Sequence, residues 1–138
     1  MLAEATLGMI GGQYVDVTTD GGLDAERLAA VHRLKTGRLL EASVGCALAV
    51  AAVPATDRDA WRAFAAELGL LFQIVDDILD ASGDVEAGRT SYVSLYGLER
   101  AGELADDARA RARSRLAALP ADTAVLNELV DSIRDRRA

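Results

Sequence analysis

Gly69-Leu70-Leu71-Phe72-Gln73-Ile74-Val75-Asp76-Asp77-Ile78-Leu79-Asp80 places a glutamine and three aspartates inside an otherwise apolar run. On a helix each residue turns about 100°. With Gln73 at zero, Asp77 falls near 40°, Asp80 near 340° and Asp76 near 300°, one stripe about 100° wide. Leu71, Phe72, Ile74, Val75, Ile78 and Leu79 fill the rest of the wheel. A helix apolar on most sides is buried on most sides. The stripe is therefore expected to face a cavity, a metal or a cationic partner rather than bulk water.

Ala81-Ser82-Gly83-Asp84 is turn chemistry and ends the pattern. The aspartates thus occupy the last turns, at the negative end of the helix dipole. A carboxylate there is disfavoured by roughly 0.3–1 kcal/mol, and like charges one turn apart add a few tenths. Something positive is needed to hold them. Clustered carboxylate oxygens suit a hard cation such as Mg²⁺, which keeps several waters and shares its ligand's phosphate.

Other residues point to the same anionic chemistry. Lys35 falls in the helical row Leu28, Val31, Lys35, Leu39, Ala42, which is otherwise apolar, and His32 borders it. A lysine aimed inward needs an anion. A carboxylate of the aspartate helix and a diphosphate are both candidates; a lysine snorkelling to the surface is the plainer alternative. Thr36 can donate its hydroxyl to an oxygen of the same ligand. Gln13 and Asp16, three apart, share a helix face. Gly11 and Gly12 beside them cost about 1 kcal/mol each in a helix interior and imply a close approach by another helix or a ligand. Arg89 can grip a diphosphate bidentately. His32 has no second histidine to share a metal, so a hydrogen-bonded residue at the pocket edge is expected.

The chain has 138 residues, 51% of them hydrophobic, 27% charged and 4% aromatic, with a net charge of −7. That is one domain, residues 1–138, with mass enough for a core. The negative charge argues against nucleic acid as a partner. The single cysteine, Cys46, excludes an internal disulfide and fits a reducing cytosol, so a cytoplasmic location is expected. Its neighbours make it a small core residue. The apolar segment 44–53 is too short to span a bilayer.

The expected fold class is all-α. The pattern predicts helices over 2–17, from an Asp24 cap to Val53 before Pro54, from a Thr56–Asp59 capping box to Ala81, over 91–119 with a break near Gly97, and over 123–137. The first has no capping residue ahead of it and reads as a helix continued from an upstream half. Arg109, Arg111, Arg113 and Arg115 alternate every two residues, which spreads them around a helix as a solvated face.

Four segments together resemble one family. Gly69-x-x-Phe72-Gln73-x-x-Asp76-Asp77-x-x-Asp80 looks like the second aspartate-rich motif of the trans-isoprenyl diphosphate synthases, the polyprenyl synthetase family. Gly11-Gly12-Gln13-x-x-Asp16, His32-x-x-Lys35-Thr36-Gly37 and Gly88-Arg89-Thr90-Ser91-Tyr92 resemble further motifs of that family, in the same order. The resemblance implies a helical bundle corresponding to the C-terminal half of the isoprenoid synthase fold. It implies prenyl transfer between an allylic diphosphate and isopentenyl diphosphate, with Mg²⁺ as cofactor. It assigns Asp76, Asp77 and Asp80 to the metal, Gln13, Asp16, Lys35, Thr36, Gln73 and Arg89 to substrate, and catalysis to Lys35, Thr36 and Gln73.

The sequence also departs from the family pattern. The first aspartate-rich motif and its following arginines are absent from these residues, the loop after Asp80 is short, and Arg89 stands where the family has lysine. Two functions from different classes follow. One is the C-terminal part of a prenyltransferase site, in a homo- or hetero-oligomer with a chain that supplies the first motif. The other is a non-catalytic helical partner or regulatory fragment associating with a full-length synthase.

Overall fold

The computed structural model describes residues 2–19, 22–81 and 88–136. Among them the secondary structure is helical, with no strand. The helices are α1 (Leu2–Thr18), α2 (Ala25–His32), α3 (Arg38–Val50), α4 (Arg58–Leu79), α5 (Tyr92–Tyr96), α6 (Leu98–Ala117) and α7 (Ala124–Arg134). The all-α bundle expected from the sequence is the fold observed.

The aspartate helix is the axis of the bundle. α4 packs against α3, α6 and α7, while α1 lies on α3 and on the turn that follows α2. Phe64, Leu71 and Ile74 of α4 are fully buried with Leu28 of α2, Leu116 of α6 and Val130 of α7. α6 meets α4 through Ala101, Ala105, Ala108 and Ala112, all without exposed surface. Alanine at this spacing removes side-chain bulk from one face, so two backbones pack closely.

Asp24 caps α2 as expected, accepting the Arg27 amide at 2.8 Å. Leu23 and Leu28, on either side of this cap, both enter the core. The long helix predicted up to Val53 does not run as one α-helix. Arg33–Gly37 is a π-helical turn between α2 and α3. Such turns widen a helix locally and are frequent at functional sites; this one carries Lys35 and Thr36.

The Thr56–Asp59 capping box does not form. Thr56 donates its hydroxyl to Asp57 Oδ1 at 2.9 Å, Ala55–Asp57 is a 3-10 turn, and α4 starts at Arg58. Gly97 breaks α5 from α6 with φ of 82°, a left-handed conformation that glycine adopts at no steric cost. The predicted Ser82–Arg89 loop falls outside the described residues from Ser82 to Ala87.

The arginine series is more than a solvated face. Arg109 and Arg113 reach Asp131 of α7 at 3.2 and 2.6 Å, and Arg111 reaches Glu67 of α4 at 2.9 Å. Arg134 of α7 grips both oxygens of Asp106, at 2.8 and 3.1 Å. These pairs lace α6 to its neighbours around the alanine stripe. Cys46 is half-buried rather than a core residue.

Candidate functional site

The π turn brings Lys35 and Thr36 to one place because α1 and α4 both approach it closely. At Gly12 an added Cβ would lie 2.6 Å from the Lys35 backbone nitrogen, and at Gly69 one would lie 3.3 Å from Gly37 Cα. Gly12 therefore answers the sequence expectation of a close approach. Gly11, with nothing within 4 Å, does not.

Lys35 finds its anion on α1. Its Nζ lies 2.9 Å from Asp16 Oδ2, with the two side chains 28% and 11% exposed. The sequence offered a carboxylate of the aspartate helix or a diphosphate; the carboxylate that Lys35 meets belongs to α1 instead. Partial burial leaves the pair less screened by water and salt than one on the open surface. Thr36 donates its hydroxyl to Gln73 Oε1 at 2.8 Å. It was expected to donate to a ligand oxygen; in this structure that proton is already committed to Gln73.

The four polar residues of α4 differ sharply in exposure. Gln73 is 2% exposed and Asp77 6%. Asp77 Oδ2 accepts the Tyr92 backbone N–H at 2.7 Å, and its Oδ1 accepts a longer bond, 3.4 Å, from Gln73 Nε2. Asp76 keeps 35% of its side chain exposed, and Asp80 is exposed. The stripe thus turns from core to surface along the last turns of α4.

A small pocket of about 40 Å³ opens where these residues meet. Its walls are Asp76, Asp77, Asp80 and Gln73 of α4, Asp16 of α1, His32 and Lys35 around the π turn, and Arg89 and Thr90 ahead of α5. Thr90 Oγ1 accepts the Leu23 amide at 2.9 Å, which ties this last segment to the start of α2. The pocket therefore gathers Asp16, Lys35, Gln73, the three aspartates and Arg89. Thr36 joins it through Gln73. Gln13 does not line it: that side chain is exposed on α1.

His32 is 7% exposed, with Nε2 3.8 Å from Asp77 Oδ1, beyond hydrogen-bond reach, and a buried Nδ1 that has no partner among the described residues. It is at the pocket edge as expected but is not fully hydrogen-bonded. Burial, reinforced by the Lys35 charge and opposed by Asp16, lowers its pKa to about 4, so the ring is neutral at pH 7. A mostly apolar cavity of about 280 Å³ lies on another side of His32, against Gly69 and Tyr92, and no motif aspartate lines it.

Sequence reasoning missed Thr90 in the pocket wall and, outside it, Arg136 beside Asp76. Arg136 Nη2 lies 3.9 Å from Asp76 Oδ1, and its guanidinium carbon stands 5.3 Å from the Phe72 ring centroid. A cation over an aromatic face next to a carboxylate is favourable twice over. No local pattern could signal a contact between residues so far apart in the chain.

Among the described residues no three histidines, cysteines or acidic groups come close enough to cage a metal ion. All three motif aspartates line the pocket; Asp76 and Asp80 are the more exposed, while buried Asp77 has Oδ2 on the Tyr92 amide. Mg²⁺ is usually held by one or two carboxylates together with substrate phosphates. The residues therefore fit Mg²⁺ bound jointly with a diphosphate, and not a metal held by protein alone.

The polyprenyl synthetase family model matches residues 1–101. The chain is 35% identical over 156 residues to the farnesyl diphosphate synthase of Escherichia coli strain K12, covering 97% of this chain and 50% of that protein. The crystal structure of an FPP/GFPP synthase from Zymomonas mobilis superposes with a TM-score of 0.83 at 30% identity, over 96% of this chain and 49% of that one. A geranyltransferase of Helicobacter pylori, complexed with magnesium and isoprenyl diphosphate, superposes with a TM-score of 0.74 at 30% identity, over 92% and 46%. The protein belongs to the polyprenyl synthetase family. It spans about half the length of these relatives.

Proposed function

We propose that this chain forms half of a prenyl-transfer site, the half that holds the diphosphate of an allylic substrate with Mg²⁺. One observation carries the reading: Asp76 and Asp80 share a single pocket with Lys35 and Arg89. Outward carboxylates facing basic groups suit a ligand that brings both a cation and an anion, and a metal-bound diphosphate is such a ligand.

In this reading Asp76 and Asp80 hold the Mg²⁺, whose role is to neutralise diphosphate charge as it leaves. Arg89 binds diphosphate oxygens. Lys35, held by Asp16, adds fixed positive charge without reorganising. The allylic C–O bond breaks with its electron pair on diphosphate. The double bond of isopentenyl diphosphate forms the new C–C bond, and a proton is lost to the released diphosphate. Gln73 and Thr36 line the region where the cationic carbon develops. A second chain or segment supplies the opposing aspartate-rich motif and the isopentenyl site, in a homo- or hetero-oligomer. No described helix is long and apolar enough to cross a membrane, and the single cysteine suits a cytosolic setting.

Calorimetry with Mg²⁺ and inorganic pyrophosphate tests the site. Binding by the wild type that Asp76→Ala weakens about tenfold or more, the scale of losing a metal contact, is expected. An unchanged affinity in the variant would remove the aspartate stripe from the site.

A second reading, a non-catalytic partner of a complete synthase, is favoured by one face of α1. Leu7, Ile10, Tyr14 and Val17 are exposed there and fall within about 80° on the helix wheel. An apolar stripe of that kind marks an interaction surface. If a full-length synthase captures the chain and Asp76→Ala leaves its effect intact, this second reading prevails.

A further inference from the structure

We infer that Asp77 is a positioning residue that clamps the Arg89 segment to α4 and orients Gln73, leaving metal contact to Asp76 and Asp80. The inference rests on the diphosphate reading above, and refines which aspartate does what.

Asp77 is buried and its stronger bond is internal. At 2.7 Å the Tyr92 N–H···Oδ2 contact has the length of a charge-assisted bond. Tyr92 is the first residue of α5, where backbone N–H groups lack intrahelical acceptors. Ser91 Oγ caps the Ser94 amide at 3.2 Å, and Asp77 satisfies Tyr92. Because Gly88–Ser91 leads directly into that helix, the bond sets where Arg89 and Thr90 stand relative to the aspartates. With Oδ2 on the Tyr92 amide and Oδ1 turned to Gln73, both oxygens of this buried carboxylate already have internal partners, unlike those of the more exposed Asp76 and Asp80.

The same carboxylate sets the polarity of its neighbours. It can only accept hydrogen bonds. Gln73 must therefore turn Nε2 toward Asp77 and Oε1 toward Thr36, and the Thr36 hydroxyl donates at 2.8 Å. Reversing the amide would set its oxygen against the carboxylate. Asp77 thus fixes the direction of the Thr36–Gln73 bond, with the hydroxyl as donor.

Nuclear magnetic resonance on the 138-residue chain decides this without an activity assay. In the wild type, a coupling across the hydrogen bond between the Tyr92 amide nitrogen and the Asp77 carboxylate carbon is expected, and it persists when Mg²⁺ and inorganic pyrophosphate are added. A coupling that is absent, or that vanishes on addition of Mg²⁺ and pyrophosphate, would overturn the assignment. In Asp77→Asn the Tyr92 amide signal should move upfield and exchange faster, the Gln73 side-chain amide signals should move, and the Arg89 Nε signal should no longer respond to Mg²⁺–pyrophosphate. In Asp76→Asn the Tyr92 signal stays while binding falls. Unmoved Tyr92 and Gln73 signals in Asp77→Asn would refute the positioning role. A wild type that binds no Mg²⁺–pyrophosphate refutes the diphosphate reading instead, and the Tyr92 and Gln73 signals still decide the role of Asp77. Should Asp77→Asn fail to fold, the wild-type coupling carries the test alone.

Discussion

Lys35 and Asp16 join the π turn to α1 through a 2.9 Å contact between ammonium and carboxylate. Neither residue has another cation or carboxylate within bonding distance among the contacts described. The pair closes the wall of the pocket opposite the aspartate helix. Asp16→Asn removes the carboxylate and leaves a partly buried ammonium uncompensated. Exposure of the lysine moderates the penalty, so a loss of about 1–2 kcal/mol is expected, below the cost of breaking a fully buried pair. Urea melts of Asp16→Asn, Lys35→Met and the double variant measure it. Strict additivity of the two single losses would show that the pair contributes nothing.

The two adjacent glycines of α1 should respond in opposite directions. An alanine methyl at Gly12 meets the Lys35 backbone and Leu34, so the helices must separate. Gly12→Ala should cost about 1–3 kcal/mol, the range for overpacking. Gly11 is exposed with empty space around it. Gly11→Ala should stabilise the helix by up to about 1 kcal/mol. Equal effects of the two substitutions in thermal melts would contradict the close crossing at Gly12.

His32 makes stability fall as the solution is acidified. Its folded pKa of about 4 lies below the ordinary 6.5. Between these values the unfolded chain binds the proton more readily, so stability rises with pH through that window and levels off above it. The whole contribution is about 3 kcal/mol, at 1.36 kcal/mol per unit. Wild type and His32→Gln, melted at pH 7 and pH 5, should differ in slope, with the variant losing less. Parallel losses in both proteins would place the acid sensitivity elsewhere.

The chain on its own should have negligible prenyltransferase activity. No second aspartate pair in the sequence has the spacing of Asp76-Asp77-x-x-Asp80, and the proposed function assigns the isopentenyl site to another chain or segment. Incubation with Mg²⁺, isopentenyl diphosphate and a series of allylic diphosphates should give no product above background. Robust turnover by the purified chain would show that these residues suffice.

Much of the bundle is legible in the sequence because burial imposes a period. The α4 run 69–80 reads as a nearly all-buried helix, and its apolar residues do form the core with α6 and α7. Asp24 and Gly97 mark boundaries through local backbone chemistry, which needs no tertiary information. The π turn at Arg33–Gly37 was not legible. Its residues follow the same helical row as their neighbours, and a π turn differs from an α turn only in which carbonyl each N–H selects. The Thr56 box failed for a related reason: a short hydroxyl can bond the adjacent Asp57 as readily as a helix amide.

The sequence alone determined the chemical inventory: an aspartate stripe, an inward lysine, a glycine pair and a basic segment on an acidic helical chain. Composition and periodicity are enough for that, because side-chain chemistry and helix pitch are local properties. Only the tertiary structure decided how the inventory is divided. It paired Lys35 with Asp16, set Gln13 outside the pocket, turned Asp77 inward to Tyr92, and brought Arg136 to Asp76. Those outcomes depend on which helices cross where, and the crossings are set by glycine and alanine contacts between segments far apart in the chain.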